Sequence, residues 1–472
     1  MERGSPLMTA SPQTKKSLAT RTRKSARAIA FSILLDVEKK AAFASEMLHA
    51  RLAGETDARE AALVTELVMG TLRWQRTLDF FIERYTKRAA AKLDTEVLVA
   101  LRMGVYQLRH LQRIPVRAAV NESVELARRA RKSSAAALVN AVLRRASAEK
   151  DKPPADCLLG DLDPVKKLAI EYSHPTWMAE RWLRKFGQEK TIQLLEWNNR
   201  APAQAISIVN PLRAAETVES LKNEAFEIAA GRLLKNALII RKGNATSAAA
   251  FQNGSIAIQD EASQMIPLVL DVIPGNSVLD LCAAPGGKTI ALAREVGASG
   301  FVVACDIHES RLRMMRERFE FTGMKNVRLV ALDGTRALPF MGKFDRILVD
   351  APCSGTGTLA RNPEIRWRLR AEDLAALHLR QVALLTSALN ALAERGRLIY
   401  STCSLESEEN EMVVEEVLAA NREFRTEPVQ IPEERLAEGM QAGEVIEENG
   451  ALNTFPPAHH TDGFFAAAIR RK

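Results

Sequence analysis

From Gly254 onward, short apolar runs alternate with helical stretches. The runs are Ser277-Val278-Leu279-Asp280-Leu281, Phe301-Val302-Val303-Ala304-Cys305, Val327-Arg328-Leu329-Val330-Ala331, Arg346-Ile347-Leu348-Val349 and Gly396-Arg397-Leu398-Ile399-Tyr400. Helical patterns at Thr289 to Val296, Ser310 to Thr322 and Glu372 to Glu394 separate them. Parallel strands need a long crossover between them, and a strand covered on both faces reads as apolar throughout. The alternation predicts a doubly wound, mostly parallel α/β sheet of Rossmann-like type. Ligands of such sheets bind beyond the carboxyl ends of the strands.

The rest of the chain follows other rules, as expected for 472 residues, too many for one core. Residues 1–24 are rich in Ser, Thr, Lys and Arg and read as a disordered basic tail, in which Lys15, Lys16, Arg21, Arg23 and Lys24 are available to brush a phosphate backbone. Residues 25–151 read as all-α. Phe31, Leu34, Leu35 and Val37 share one helical face, and similar patterns run through Leu63 to Tyr85, Val97 to Leu111 and Ala118 to Ala146, with Pro115 in a connection. Arg128, Arg129, Arg131, Lys132, Arg144 and Arg145 form either a solvated face or an RNA-facing patch. Pro153-Pro154 opens a small α+β module, residues 152–254, with a helix over Thr176 to Phe186, strands at Ala205 to Val209 and Ala237 to Ile240, and a helix over Ala214 to Asn223. Residues 255–472 form the α/β domain.

Composition narrows the partners. With 66 Lys+Arg against 58 Asp+Glu, the net charge of +8 favours a polyanion. The cysteines, Cys157, Cys282, Cys305, Cys353 and Cys403, are odd in number and not closely paired, which argues against a disulfide framework. No Cys-x-x-Cys or Cys/His cluster offers a metal site, no apolar run is long enough to span a bilayer, and no signal peptide is visible. A reduced, cytoplasmic protein is expected, acting as a monomer without metal or membrane.

Three motifs sit where strands end. Asp280-Leu281-Cys282-Ala283-Ala284-Pro285-Gly286-Gly287-Lys288-Thr289 reads as strand, small-residue turn and helix start, which lets a ligand approach free backbone N–H groups. A Walker A loop fails because Cys282 stands at its first glycine, and the Gly-x-Gly-x-x-Gly fingerprint is absent. A turn for S-adenosylmethionine remains, with Cys282, Ala283, Ala284, Pro285, Gly286, Gly287 and Lys288 as its residues. Asp306, after the second strand, suits the ribose hydroxyls, and Asp333, after the third, an adenine amino group. Each aspartate alone reads equally as a cap or turn residue. Asp350-Ala351-Pro352-Cys353-Ser354-Gly355-Thr356-Gly357 and Tyr400-Ser401-Thr402-Cys403-Ser404 each put a scarce cysteine in a polar turn, where an exposed sulfur can act as a nucleophile. Cys305 reads as packing.

These three motifs, in this order and with the terminal Thr461-Asp462-Gly463-Phe464-Phe465, resemble the RNA 5-methylcytosine methyltransferases of the Sun (Fmu) family, over residues 255–472. The helical region, notably Asn140-Ala141-Val142-Leu143-Arg144-Arg145, resembles the RNA-binding antitermination factor NusB. The resemblance implies methyl transfer from S-adenosylmethionine to carbon 5 of a cytosine, and the domain pairing implies 16S rRNA as the partner. Carbon 5 is a poor nucleophile until a thiolate adds to carbon 6. Sequence alone does not order the two thiols; the resemblance makes Cys403 the nucleophile and Cys353 the group that assists release. It puts Asp350 beside ring nitrogen 3 and near the cofactor. Lys288 is left to hold Asp350 or to lower a thiol pKa. A tRNA cytosine methyltransferase and a non-catalytic RNA-binding assembly factor are the alternatives. Two further segments carry expectations. Asn362-Pro363-Glu364-Ile365-Arg366-Trp367-Arg368 suits stacking on a base or clamping a phosphate, or else an ordered surface loop. Glu433 to Asn449 reads as an acidic insertion or loop remote from RNA.

Overall fold

The computed structural model describes residues 25–472 apart from 53–56 and 158–161. The expectation for residues 1–24 lies outside the described residues. No described helix is long and apolar enough to cross a membrane, and no described cluster of His, Cys, Asp and Glu could hold a metal ion.

The first part is helical. Helices Ala26–Lys40, Ala58–Arg73, Gln75–Thr86, Val116–Arg129 and Ala136–Ala148 surround Thr95–His110, which is buried without interruption from Val97 to Leu108. Arg102 is tolerated there because Asp79 takes its Nε at 2.7 Å and an Nη at 2.8 Å. The pattern from Leu63 to Tyr85 splits in two at Trp74, and that from Ala118 to Ala146 breaks after Arg129, where Arg131 takes a left-handed φ of 61°.

Helix Thr176–Asn198 runs past the expected end at Phe186 by kinking at Gly187, whose φ of 75° suits glycine. Strands β1 (Gln204–Ile208), β2 (Glu227–Ala230), β3 (Ala237–Lys242) and β4 (Ile256–Ile258) form an antiparallel sheet in the order β2-β3-β1-β4. Helix Ala214–Asn223 falls on its expected span. The sequence pattern missed β2 and β4, which at four and three residues are too short for a periodicity to show.

The last part is built on β5 (Ser277–Asp280), β6 (Phe301–Asp306), β7 (Val327–Ala331), β8 (Phe344–Asp350), β9 (Leu392–Thr402), β10 (Phe424–Glu427), β11 (Leu452–Asn453) and β12 (Phe465–Arg471). Their order is β10-β12-β9-β8-β5-β6-β7, with β11 on β12. β5 to β9 pair in parallel and β12 runs antiparallel to β9, so the doubly wound core carries a mixed edge. The expected helix over Glu372 to Glu394 ends at Ala391, and β9 starts at Leu392. Leu392 pairs with Phe344 of β8, so sheet pairing overrides the helical preference of Leu-Ala-Glu-Arg. Strand order reverses between β8 and β5, and the crevice outside that switch point is where a ligand fits.

The acidic segment Glu433 to Asn449 is not a free loop. It docks on the small module: Lys235 N–H donates to the Arg435 carbonyl at 2.9 Å, and Leu436 and Val445 are buried.

Candidate active site

The register of β8 against β9 assembles the cysteine pair. Asp350 lies opposite Ser401, so the turns after these two parallel strands emerge side by side. Cys353 Sγ and Cys403 Sγ stand 3.2 Å apart as free thiols, and the Cys403 N–H points at Cys353 Sγ at 3.3 Å. Gly357 N–H donates to the Cys403 carbonyl at 2.9 Å. A side chain at Gly357 would put its Cβ 2.2 Å from the Gly463 carbonyl oxygen, so the turn requires glycine. The hydrogen bond with Cys403 and then burial push the Cys353 thiol well above the usual thiol range.

Asp350 is held from both sides. One carboxylate oxygen accepts from Lys288 Nζ at 2.6 Å and the other from Ser401 Oγ at 2.9 Å. Of the two roles open to Lys288, its ammonium group is engaged in the one that holds Asp350. Lys288 belongs to helix Gly287–Glu295, which starts at Gly286 in a left-handed conformation, φ 97°, with no side chain capping it. Its first-turn N–H groups and positive dipole end are thus available to an anionic group such as an amino-acid carboxylate.

Asp306 closes β6, one strand further out. One of its oxygens accepts the His308 N–H at 2.8 Å, and the other has no hydrogen-bond partner among the described residues. Asp333 lies two residues past β7, whose last residue, Ala331, pairs with Asp306. Its own turn engages it: Thr335 N–H and Oγ1 donate at 3.0 and 2.6 Å, and Arg336 Nε lies 3.2 Å away. Those Thr335 bonds hold its carboxyl below the ordinary range. An adenine there competes with this turn. Cys282 lies in the turn after β5, and burial pushes its thiol well up. Cys305 is fully buried, as expected of a packing residue.

The segment Asn362 to Arg368 turns its side chains toward protein rather than forming a surface loop. Arg366 is fully buried and donates to the carbonyls of Ser173 at 3.0 Å and Asn198 at 2.9 Å, and to Asn199 Oδ1 at 2.9 Å. Trp367 Nε1 donates to the Leu72 carbonyl at 2.7 Å, Arg368 to the Ala42 carbonyl, and Glu364 accepts from Ala44 N–H at 3.0 Å. Basic and aromatic side chains here join the catalytic turn to the helical part.

The basic run on the helical part is largely self-paired. Arg128 and Arg129 face Glu125, Lys132 faces Asp94, and Arg145 donates to the Tyr85 carbonyl. Arg131 and Arg144 are exposed with no ion pair among the described residues.

Sequence reasoning missed several residues. Buried Asp280 accepts from Thr289 Oγ1 at 2.7 Å and so ties β5 to its helix. Arg361 bridges Asp260 at 2.6 Å and Asp462 at 3.0 Å, which pins the Thr461–Phe465 segment beside the site. Of these three residues only Asp462 lies in a quoted motif, so nothing local marked Arg361 or Asp260. Buried Glu409 follows the Cys403 turn, and its sequence context, Ser-Glu-Glu-Asn, looks like a solvated acidic turn.

A family model described as 16S rRNA methyltransferase RsmB/F matches residues 267–470, the NusB family matches 24–148, and a methyltransferase RsmF/B-like, ferredoxin-like domain matches 174–247. The probable ribosomal RNA small subunit methyltransferase B of Bacillus subtilis is 32% identical over 453 residues, 95% of this chain and 99% of its own. The ribosomal RNA small subunit methyltransferase B of Pseudomonas syringae pv. tomato is 34% identical over 371 residues, 77% and 80%. Among solved structures, a methyltransferase homologue from Pyrococcus horikoshii matches with a TM-score of 0.56 and 30% identity, covering 66% of this chain and 100% of that one.

Proposed function

We infer that this chain, which belongs to the 16S rRNA methyltransferase RsmB/F family, attaches Cys403 covalently to the cytosine that it methylates. It is an rRNA methyltransferase acting on carbon 5 of cytosine. The observation that carries the covalent reading is the pair of free thiols 3.2 Å apart at the ends of adjacent parallel strands, beside the Asp350–Lys288 pair.

The residues divide the work. Cys403 adds its sulfur to carbon 6, a carbon–sulfur bond forms, and the carbon 5–carbon 6 π pair moves onto carbon 5. Asp350, fixed by Lys288 and Ser401, stabilises the ring nitrogen 3 side as charge develops there. S-adenosylmethionine, when bound, supplies an electrophilic methyl group on a sulfonium centre. Gly286, Gly287 and the free N–H groups after them suit its carboxylate, the free oxygen of Asp306 suits its ribose, and Cys282 to Pro285 line it with backbone. Asp333 accepts from its adenine by giving up part of its own turn. Cys353 assists release: as a thiolate it takes the carbon 5 proton, the pair of the broken carbon–hydrogen bond re-forms the double bond, and the bond from carbon 6 to Cys403 breaks with its pair returning to the Cys403 sulfur. The NusB-like region with Arg131 and Arg144 adds contacts to the RNA backbone.

Cys403→Ala should abolish methyl transfer and leave cofactor affinity within about twofold, since transition-state chemistry and ground-state binding separate here. Residual turnover above about 1% of the parent would reject the nucleophile role. Cys353→Ala should accumulate a protein–RNA adduct on a denaturing gel; with 16S rRNA transcript and cofactor present, a blank lane rejects the release role.

A further inference from the structure

We propose that Glu409 is a positioning residue whose carboxylate clamps the Cys353 and Cys403 turns together, so that both sulfurs meet one cytosine. The proposal rests on the two-thiol reading above and adds to it the group that sets the spacing.

Glu409 is fully buried and makes no ion pair among the described residues. Both oxygens of its carboxyl group are satisfied by hydrogen bonds from the two turns, as a buried polar group requires. One oxygen accepts the Ser354 N–H at 2.8 Å, next to Cys353. The same oxygen accepts Gln381 Nε2 at 2.9 Å, and that amide also holds the Pro352 carbonyl at 3.0 Å, on the other side of Cys353. The second oxygen accepts from Ser404 Oγ, next to Cys403. The Glu409 carbonyl accepts Tyr400 Oη–H at 2.6 Å, at the end of β9. The hydroxyls then bridge the turns directly: Ser404 Oγ lies 3.0 Å from Ser354 Oγ and 3.3 Å from Thr356 Oγ1, and Thr356 Oγ1 accepts the Leu405 N–H at 2.9 Å. Every member of this network lies within a few residues of one cysteine or bridges to the other. Among the described residues, Glu409 is the one carboxyl group that bonds directly to the immediate neighbours of both cysteines, Ser354 and Ser404.

A glutamine fits the same space. Its amide oxygen takes the Ser354 and Gln381 donors. Its amine donates to Ser404 Oγ, which already accepts the Glu406 N–H at 3.0 Å and turns its own proton toward Ser354 or Thr356. Alanine leaves the Ser354 N–H and the Gln381 amide without an acceptor, and the turns drift apart.

The test compares Glu409→Ala, Glu409→Gln and Ser404→Ala with the parent, using 16S rRNA transcript and S-adenosylmethionine. Single-turnover methyl transfer should fall about 100-fold in Glu409→Ala, the scale of an ångström-level misplacement, with cofactor affinity unchanged. Glu409→Gln should restore the rate to within about fivefold, and Ser404→Ala should lose about tenfold. In a Cys353→Ala background, Glu409→Ala should slow adduct formation by the same factor as it slows methyl transfer. Parental rates in Glu409→Ala overturn the proposal. If Glu409→Ala loses cofactor binding, Ser404→Ala decides: parental methyl transfer there also overturns it. Absence of adduct in Cys353→Ala alone instead sinks the release role of Cys353, while the methyl-transfer comparison still judges Glu409.

Discussion

Residues 350–358 and 362–368 are neighbours in the chain and opposites in construction. The first segment, the Cys353 turn, is held by hydroxyls, an amide and a carboxylate at short range, and it presents a sulfur to the crevice. The second, rich in arginine and tryptophan, turns inward. Arg366 sits where helices Ala58–Arg73 and Thr176–Asn198 end, and the carbonyls of Arg73 and Asn198 both face it, at 3.4 and 2.9 Å. Arg368 and Trp367 reach carbonyls near the ends of helices Ala26–Lys40 and Ala58–Arg73. Helix carboxyl termini carry unpaired carbonyls and the negative end of the dipole, so their convergence substitutes for a carboxylate. A cationic, aromatic stretch is therefore as suited to joining helices as to gripping a phosphate. What decides is whether helix ends or solvent stand opposite.

The largest expected effect breaks or sharpens that contrast. Arg366→Met keeps the volume and removes every donor, leaving buried carbonyls and Asn199 unpaired. Truncating one side of such a buried set costs roughly 3–5 kcal/mol, or about 3–5 °C in melting temperature at this size. Burial already pushes this guanidinium down to about 9, which is the desolvation that the carbonyls offset. An RNA clamp predicts the reverse: unchanged melting and weaker RNA binding. A fall below about 1 °C would return the segment to the clamp reading.

The second effect is a pH dependence inside the catalytic half. Asp280 is enclosed, with one oxygen on Thr289 Oγ1 and the other unpartnered. Burial raises its carboxyl from 3.8 to about 7, against the pull of the Thr289 bond. The folded state therefore holds the proton more tightly than the unfolded chain. Stability from this group is complete below pH about 4 and lost as pH rises through about 7. Asp280→Asn carries no such loss. Its melting temperature relative to the parent should climb between pH 5 and 7, by the equivalent of about 2 kcal/mol, and level off above 7. A constant difference would mean that Asp280 ionises freely in the folded protein.

What was legible in the sequence follows from range. Strand ends and turns are local, so Asp306, Asp350, Cys353 and Cys403 were placed at the strand ends by pattern alone. The cofactor turn was legible because its small residues and the helix after it are contiguous. The role of Lys288 was divided between two partners until the pairing of β8 with β5 brought Asp350 beside it, 62 positions away in sequence. Glu409 and Arg366 were opaque for a stronger reason. Charged residues read as solvated unless something distant buries them, and Arg366 meets its partners across 168 and 193 positions. β9 was cut short because Leu392 to Glu394 favour helix locally, and only Phe344 opposite makes them a strand. Resemblance supplied the order of attack and release, which neither pattern nor spacing contains.

The smallest expected effect separates two ways in which Lys288 can serve the thiols. Its ammonium stands 2.6 Å from Asp350 and 5.1 Å from the centre of the Phe464 ring, and it is mostly shielded from solvent. If it acts by holding Asp350, Lys288→Met should lower kcat about tenfold and leave KM for the cofactor within about twofold. The pH at which adduct formation is half-maximal in a Cys353→Ala background should stay where it is. Asp350→Asn should then abolish most of the remaining effect of the lysine, since two residues acting as one unit are not additive. If Lys288 instead stabilises a thiolate directly, its loss removes a nearby cation from the sulfur, and the same profile moves to higher pH by about one unit. An additive double variant together with a shifted profile would detach Lys288 from Asp350. It would also make the crevice, like the Arg366 joint, a place where a cation serves something other than its nearest acid.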